Sequence, residues 1–171
     1  MKERKGLVTV GGKPITLVGE EIKVGDPAPD AELIGTDLKP VKLSSFAGKV
    51  RILSSVSSLD TAVCDIETRR FNQEAAGLGE NVAILTVSMD LPFAQKRWCG
   101  NAGVDRVITL SDHRQASFGT AYGVLIKELR LLARAVFVLD REGIIRYIQI
   151  VKEVTDEPDY DAVLEAVQKL M

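Results

Sequence analysis

Val50-Arg51-Ile52-Leu53-Ser54-Ser55-Val56, running on through Ser57-Ser58-Leu59-Asp60-Thr61-Ala62-Val63-Cys64, is the stretch whose reading decides the fold. Lys49 to Val56 reads as a strand, apolar enough to lie at the centre of a sheet. From Thr61 the pattern turns helical, with Phe71, Ala75 and Leu78 recurring at helical spacing. Asp65 and Glu67 come early in that helix, where its dipole prefers acidic groups, and Gly77 and Gly79 end it. A cysteine therefore sits where a strand hands over to a helix. Asp60 and Thr61 are both good N-cap residues. If either caps, Cys64 falls in the first turn, among orphan backbone N–H groups and the positive end of the dipole. Both stabilise a thiolate over a thiol, and the thiolate is the nucleophile. The plainer reading of the same residue is a small buried hydrophobe.

Outward from this junction, Leu7 to Val10 and Ile15 to Val18 flank Gly11-Gly12-Lys13-Pro14 and read as an N-terminal β-hairpin. Pro27 and Pro29 fix an extended lead-in, and Val41 to Leu43 is a short strand. Downstream, Val82 to Ser88 is a second strong strand. Pro92 opens a helix running to about Asn101. Val107 to Leu110 is a short strand, and Ser111 or Asp112 caps a helix through about Tyr122. Ala135 to Leu139 and Ile144 to Ile150 form a hairpin across Asp140-Arg141-Glu142-Gly143. Asp159 to Leu170 is a terminal helix. Two strand–helix–strand units followed by an antiparallel pair predict an α/β domain with a central mixed β-sheet flanked by helices. A thioredoxin-like fold satisfies that order. No repeat, linker or low-complexity segment divides the chain, so residues 1–171 read as one domain.

Composition narrows the function. An apolar share of 46% with 27% charged residues is that of a soluble globular domain with a real core. A net charge of −2 lacks the basic excess of a nucleic-acid surface. No apolar run approaches a membrane span, and no apolar segment follows Met1-Lys2-Glu3-Arg4-Lys5 as a signal sequence requires. These features predict a cytoplasmic protein. Two cysteines are too few for a secreted disulfide framework, and in a reducing compartment a cysteine pair is more often catalytic or redox-sensing than structural. The two lie 35 positions apart, neither CxxC nor a zinc pattern, and the chain has one histidine, so no metal or other cofactor is expected.

The segment Ser57 to Cys64 resembles the peroxiredoxin motif P-x-x-x-[T/S]-x-x-C, with Thr61 and Cys64 in register. Ser58-Leu59-Asp60-Thr61-x-Val63-Cys64, Asp90-Leu91-Pro92-Phe93-Ala94-Gln95-Lys96-Arg97-Trp98-Cys99 and Ala133-Arg134-Ala135-Val136 resemble one branch, the bacterial thiol peroxidases. The likeness runs from about Val8 to the C-terminus. It implies a thioredoxin-like fold and an enzyme that reduces hydrogen peroxide and organic hydroperoxides. Cys64 would be the peroxidatic nucleophile, passing through a sulfenic acid. Cys99, on the Pro92 helix, would resolve that acid as an intramolecular Cys64–Cys99 disulfide. Thioredoxin or a similar dithiol would recycle the pair by exchange. The resemblance also implies a homodimer. One departure stands out: the family's proline falls at Ser57, which loosens the loop and adds a hydroxyl. The competing readings are a general disulfide oxidoreductase, against which the missing CxxC counts, and a non-enzymatic redox sensor.

Other residues take their roles from the same two sources. Thr61 either caps the helix by accepting from the Cys64 N–H, or faces the thiolate and the peroxide, as the resemblance implies. Arg134 starts an apolar strand, Leu131 to Val138, where an arginine needs a partner. Beside a thiolate it would favour the anion and donate to peroxide oxygens; the alternative is an edge-strand arginine reaching back to water. His113 reads as a surface or capping residue. Arg69 and Arg70 read as a solvated face. Trp98 and Tyr122 read as core, with Phe93 and Trp98 forming an apolar wall around Cys99.

Overall fold

The computed structural model describes residues Met1–Met171. Its centre is the predicted strand β5 (Val50–Ser55), every residue of which is buried. On one side β5 pairs in parallel with β6 (Val82–Ser88), which pairs in parallel with β7 (Ile108–Ser111). On the other it pairs antiparallel with β10 (Ala135–Leu139), and β10 pairs antiparallel with β11 (Ile145–Ile150). Two short strands, β3 (Glu32–Ile34) and β4 (Pro40–Lys42), complete a mixed seven-stranded sheet in the order β11-β10-β5-β6-β7-β3-β4.

Side chains alternate across this sheet, as strands require. Ile52, Ile84, Val136 and Val138 face α1 (Ala62–Leu78), α2 (Pro92–Ala102) and α4 (Tyr160–Gln168), meeting Phe71, Val104, Val163 and Val167. Leu53, Leu85, Phe137 and Leu139 face the other way, onto Phe118 and Tyr122. Phe118 and Tyr122 stack with centroids 4.4 Å apart, and Tyr122 meets Phe137 edge-on. No helix is long and apolar enough to cross a membrane.

The N-terminal hairpin starts earlier than Leu7. Its strands are β1 (Glu3–Val10) and β2 (Lys13–Val18), with an irregular register between Lys5 and Val8. Gly6 takes a positive φ of 78° there, a conformation that suits a bulge. The hairpin belongs to a second sheet, β1-β2-β8-β9, through β8 (Leu125–Ile126) and β9 (Leu131–Leu132).

Two further expectations are corrected. The helix predicted from Ser111 or Asp112 to Tyr122 is only α3 (Ser117–Ala121), because Ala116 adopts a left-handed φ of 51° and breaks it. Asp112 still caps it from a distance, accepting the N–H groups of Phe118 and Gly119. The apolar run Leu131 to Val138 is not one strand. It leaves the small sheet after Leu132 and joins the large one at Ala135. Arg134 sits at that switch, opposite the end of β5.

Candidate active site

Helix α1 begins at Ala62 with Thr61 as its N-cap, so Cys64 lies in the first turn, fully buried. Its nearest charged partner is Arg134, whose Nη2 donates to Cys64 Sγ at 3.3 Å. The guanidinium is fixed on its other edges. Nε and Nη2 donate to the Val154 carbonyl at 2.9 and 2.7 Å, and Nη1 pairs with the Glu67 carboxylate at 2.5 Å. Arg134 is thus no edge residue reaching for water; it is a buried, forked cation with one face left to a sulfur.

In the sequence Glu67 is only an acidic residue near a helix start. It is fully buried and accepts from Ser54 Oγ at 3.0 Å as well as from Arg134. A helical turn separates it from Cys64, so both side chains reach the same cation. Burial pushes its carboxyl up to about 7, against the lowering effects of Arg134 and Ser54. Burial acts on Arg134 in the opposite sense, toward loss of its proton, but Glu67 and Cys64 outweigh it and raise its pKa. Glu67 and Cys64 therefore share one desolvated cation. The sequence signal that might have exposed Glu67 is its i, i+3 offset from Cys64 opposite an apolar strand.

Thr61 caps with its backbone alone. Its carbonyl accepts the Asp65 N–H at 3.0 Å, while its hydroxyl donates to the Ser58 carbonyl at 2.8 Å and makes no cap bond to Cys64 N–H. The side chain is exposed at the mouth of the site. Ser57 replaces the stiffness of a proline with a bond, its Oγ donating to the Leu132 carbonyl at 3.0 Å. Ser55 Oγ does the same to Ala133 at 2.7 Å. These two hydroxyls tie the end of β5 to the strand switch that carries Arg134. Asp90, at the end of β6, holds the loop from the other side, accepting Ser58 Oγ at 2.7 Å, Leu59 N–H at 2.9 Å and Ser88 Oγ at 2.8 Å.

Cys99 lies in the last turn of α2. Its carbonyl accepts both the Gly103 and Val104 N–H groups, Gly103 ending the helix in the left-handed region at φ 67°. Its Sγ points toward Thr109 Oγ1, 3.6 Å away on β7. Both cysteines are free thiols. β10, which Arg134 immediately precedes, and β7, which bears Thr109, are three ladder spacings apart, about 14 Å. The expected apolar wall of Phe93 and Trp98 around Cys99 is not formed. Phe93 is exposed, and Trp98 instead turns to α1, packing against Val56, Leu59 and Cys64. Trp98 Nε1 donates to Asp65 Oδ1 at 2.9 Å, and the other oxygen of Asp65 pairs with Arg69 at 2.9 Å. Arg69 also donates to the Ala102 carbonyl at 3.2 Å, so it clasps α1 to α2 rather than facing water alone. Tyr122 is core as expected, and His113 meets Ser111 Oγ at 2.9 Å through Nδ1, away from both sulfurs.

A thiol at a helix start, facing a buried guanidinium on a thioredoxin-like sheet, defines a thiol-based redox site. Comparison with known proteins gives the same class: a family model described as Redoxin matches residues 23–164. A thiol peroxidase of Oceanobacillus iheyensis is 58% identical over 162 residues, covering 95% of this chain and 98% of the relative. One from Bacillus subtilis is 55% identical over 164 residues, covering 96% and 98%. The solved structure of a peroxiredoxin-like protein from Aquifex aeolicus superimposes with a TM-score of 0.90 at 45% identity, covering 96% of each chain. The chain belongs to the thiol peroxidase family, and it is a thiol-dependent peroxidase.

Proposed function

We propose that Cys64 is the peroxidatic nucleophile and Cys99 the resolving thiol of a single-domain enzyme that reduces hydrogen peroxide and organic hydroperoxides. The observation that carries this is the 3.3 Å contact between Arg134 Nη2 and Cys64 Sγ, both side chains buried. The Cys64 thiolate attacks the terminal oxygen of the hydroperoxide. The S–O bond forms, the O–O bond breaks, and the leaving alkoxide takes up a proton to become an alcohol, or water from hydrogen peroxide. Arg134 holds the sulfur anionic before attack and donates to the oxygens as charge moves onto them. Thr61 at the mouth orients the peroxide once its hydroxyl leaves the Ser58 carbonyl.

The Cys99 thiol then attacks the Cys64 sulfenic sulfur, expelling water and leaving a disulfide. A disulfide needs Cα atoms within about 7 Å, so this step requires movement. Cys99 occupies a terminal helical turn closed by Gly103, the end most ready to fray. A dithiol reductant of the thioredoxin type restores both thiols by exchange. The family likeness supports a homodimer working in the cytoplasm. Mass spectrometry without reductant tests the scheme. After one equivalent of peroxide the chain should be lighter by two hydrogens, with Cys64 and Cys99 in one cross-linked peptide. A chain-to-chain disulfide as the main product would contradict it.

A further inference from the structure

At the opposite end of β5 from Cys64, about 13 Å along the strand from Ser55, Arg51 lies buried, at 4% exposure. No carboxylate pairs with it. Its Nη1 and Nη2 reach the carbonyls of Leu43 and Asp140 only at 3.4 Å, and its Nε has no partner at all. The nearby acids, Asp140 and Asp30, favour its charge through space but spend their hydrogen bonds elsewhere. Asp140 pairs with Arg146 at 2.8 Å, and Asp30 accepts the Ala31 and Ser44 N–H groups at 3.0 Å each. A desolvated guanidinium with unused donors is expensive unless an anion meets it.

Arg51 forms part of the wall of a cavity of about 230 Å³, open to solvent between the Pro27–Asp30 lead-in and the Glu142–Gly143 turn. The remaining wall is mostly apolar, from Pro27, Pro29, Leu43, Leu139 and Tyr122. The Tyr122 hydroxyl is already spent on the Pro29 carbonyl at 2.7 Å. Asp30 and Glu142 also line the cavity, and their charge opposes any multiply charged anion. What remains is one guanidinium in the wall of a mostly apolar trough of small-molecule size.

We propose that this cavity binds a small monocarboxylate, its two oxygens on the Arg51 guanidinium and its short alkyl tail along Pro27, Pro29, Leu43 and Leu139. The site is separate from the peroxidase centre and rests on none of the roles assigned there. Fork-on-fork pairing explains why arginine stands here: carboxylate geometry matches it.

Calorimetric titration of the reduced protein with propionate, at ionic strength held constant with sodium chloride, tests the proposal. Wild type should bind propionate saturably, one per chain, and phosphate more weakly. Arg51→Met should weaken propionate binding at least tenfold while the peroxidase rate stays within about twofold. Arg51→Lys, which keeps the charge and loses the fork, should weaken it at least threefold and covers the case in which the methionine variant does not fold. The proposal is overturned by the absence of saturable propionate binding to wild type, by phosphate binding as tightly, or by either variant retaining wild-type affinity.

Discussion

Replacing Glu67 with glutamine should make the protein relatively more stable as the pH rises. Glu67 has an ordinary value of 4.5 and about 7 in the folded protein, raised by burial against the pull of Arg134 and Ser54. Between those two values the folded chain holds a proton on Glu67 that the unfolded chain has released. Stability falls with pH wherever the folded state binds more protons. The contribution of protonated Glu67 is therefore fully present below about 4.5 and lost as pH climbs through about 7. That gap corresponds to about 3 kcal/mol, at about 1.4 kcal/mol per pH unit. Glutamine offers Arg134 a carbonyl oxygen of similar shape and does not titrate, so Glu67→Gln escapes this loss. Thermal unfolding of both reduced proteins at about pH 4, 6 and 8 reads the difference; at about 2–4 °C per kcal/mol for a chain of this size, the variant should gain about 6–12 °C on wild type across the series. Titrations common to both proteins cancel in the comparison. A difference that stays flat with pH would refute the reasoning by showing the Glu67 carboxyl unshifted, and one that runs the other way would show the Glu67–Arg134 pair to be ionised and net stabilising.

Arg134→Lys keeps the charge but cannot hold Glu67, Val154 and Cys64 at once, so the peroxide step should slow by about tenfold or more, read by stopped-flow consumption with circular dichroism confirming the fold. Ser57→Ala removes the buried bond to the Leu132 carbonyl and should lower stability by about 1–2 kcal/mol in urea titration; an unchanged midpoint would mean the loop is held without it. Trp98 packs against Cys64 and hydrogen-bonds Asp65, so its fluorescence should respond to sulfenic acid formation as well as to the later movement of Cys99. Two phases should follow a peroxide pulse, only the first dependent on peroxide concentration, and Cys99→Ser should abolish the second.

The central strand, the helix carrying Cys64 and the placing of Cys64 in its first turn were legible because strand and helix periods are both strong there and Thr61 marks the boundary. Strands β3, β8 and β9 were not. Each is two or three residues long, shorter than any period can show, and each exists because a neighbouring strand offers it a ladder. The helix before Tyr122 was overdrawn because Ser111 and Asp112 are good caps by type, whereas the chain uses Asp112 across a left-handed Ala116. Arg134 announced itself as a charge in an apolar run. Glu67 did not, since an acid near a helix start has an ordinary explanation in the dipole, and only the fold reveals that its face of the helix is turned inward. The side chain of Trp98 is hidden from sequence for a related reason. It neighbours Cys99 in sequence, but adjacent residues on a helix point about 100° apart, so Trp98 faces α1 while Cys99 faces β7.

Consumption of hydrogen peroxide by single-cysteine variants, measured by stopped flow with no reductant present, tests most directly whether Cys64 is the residue that meets peroxide. Cys99→Ser should consume one equivalent per chain at nearly the wild-type rate and stop as the sulfenic acid. Cys64→Ser should consume none. Rapid stoichiometric consumption by Cys64→Ser would contradict the assignment.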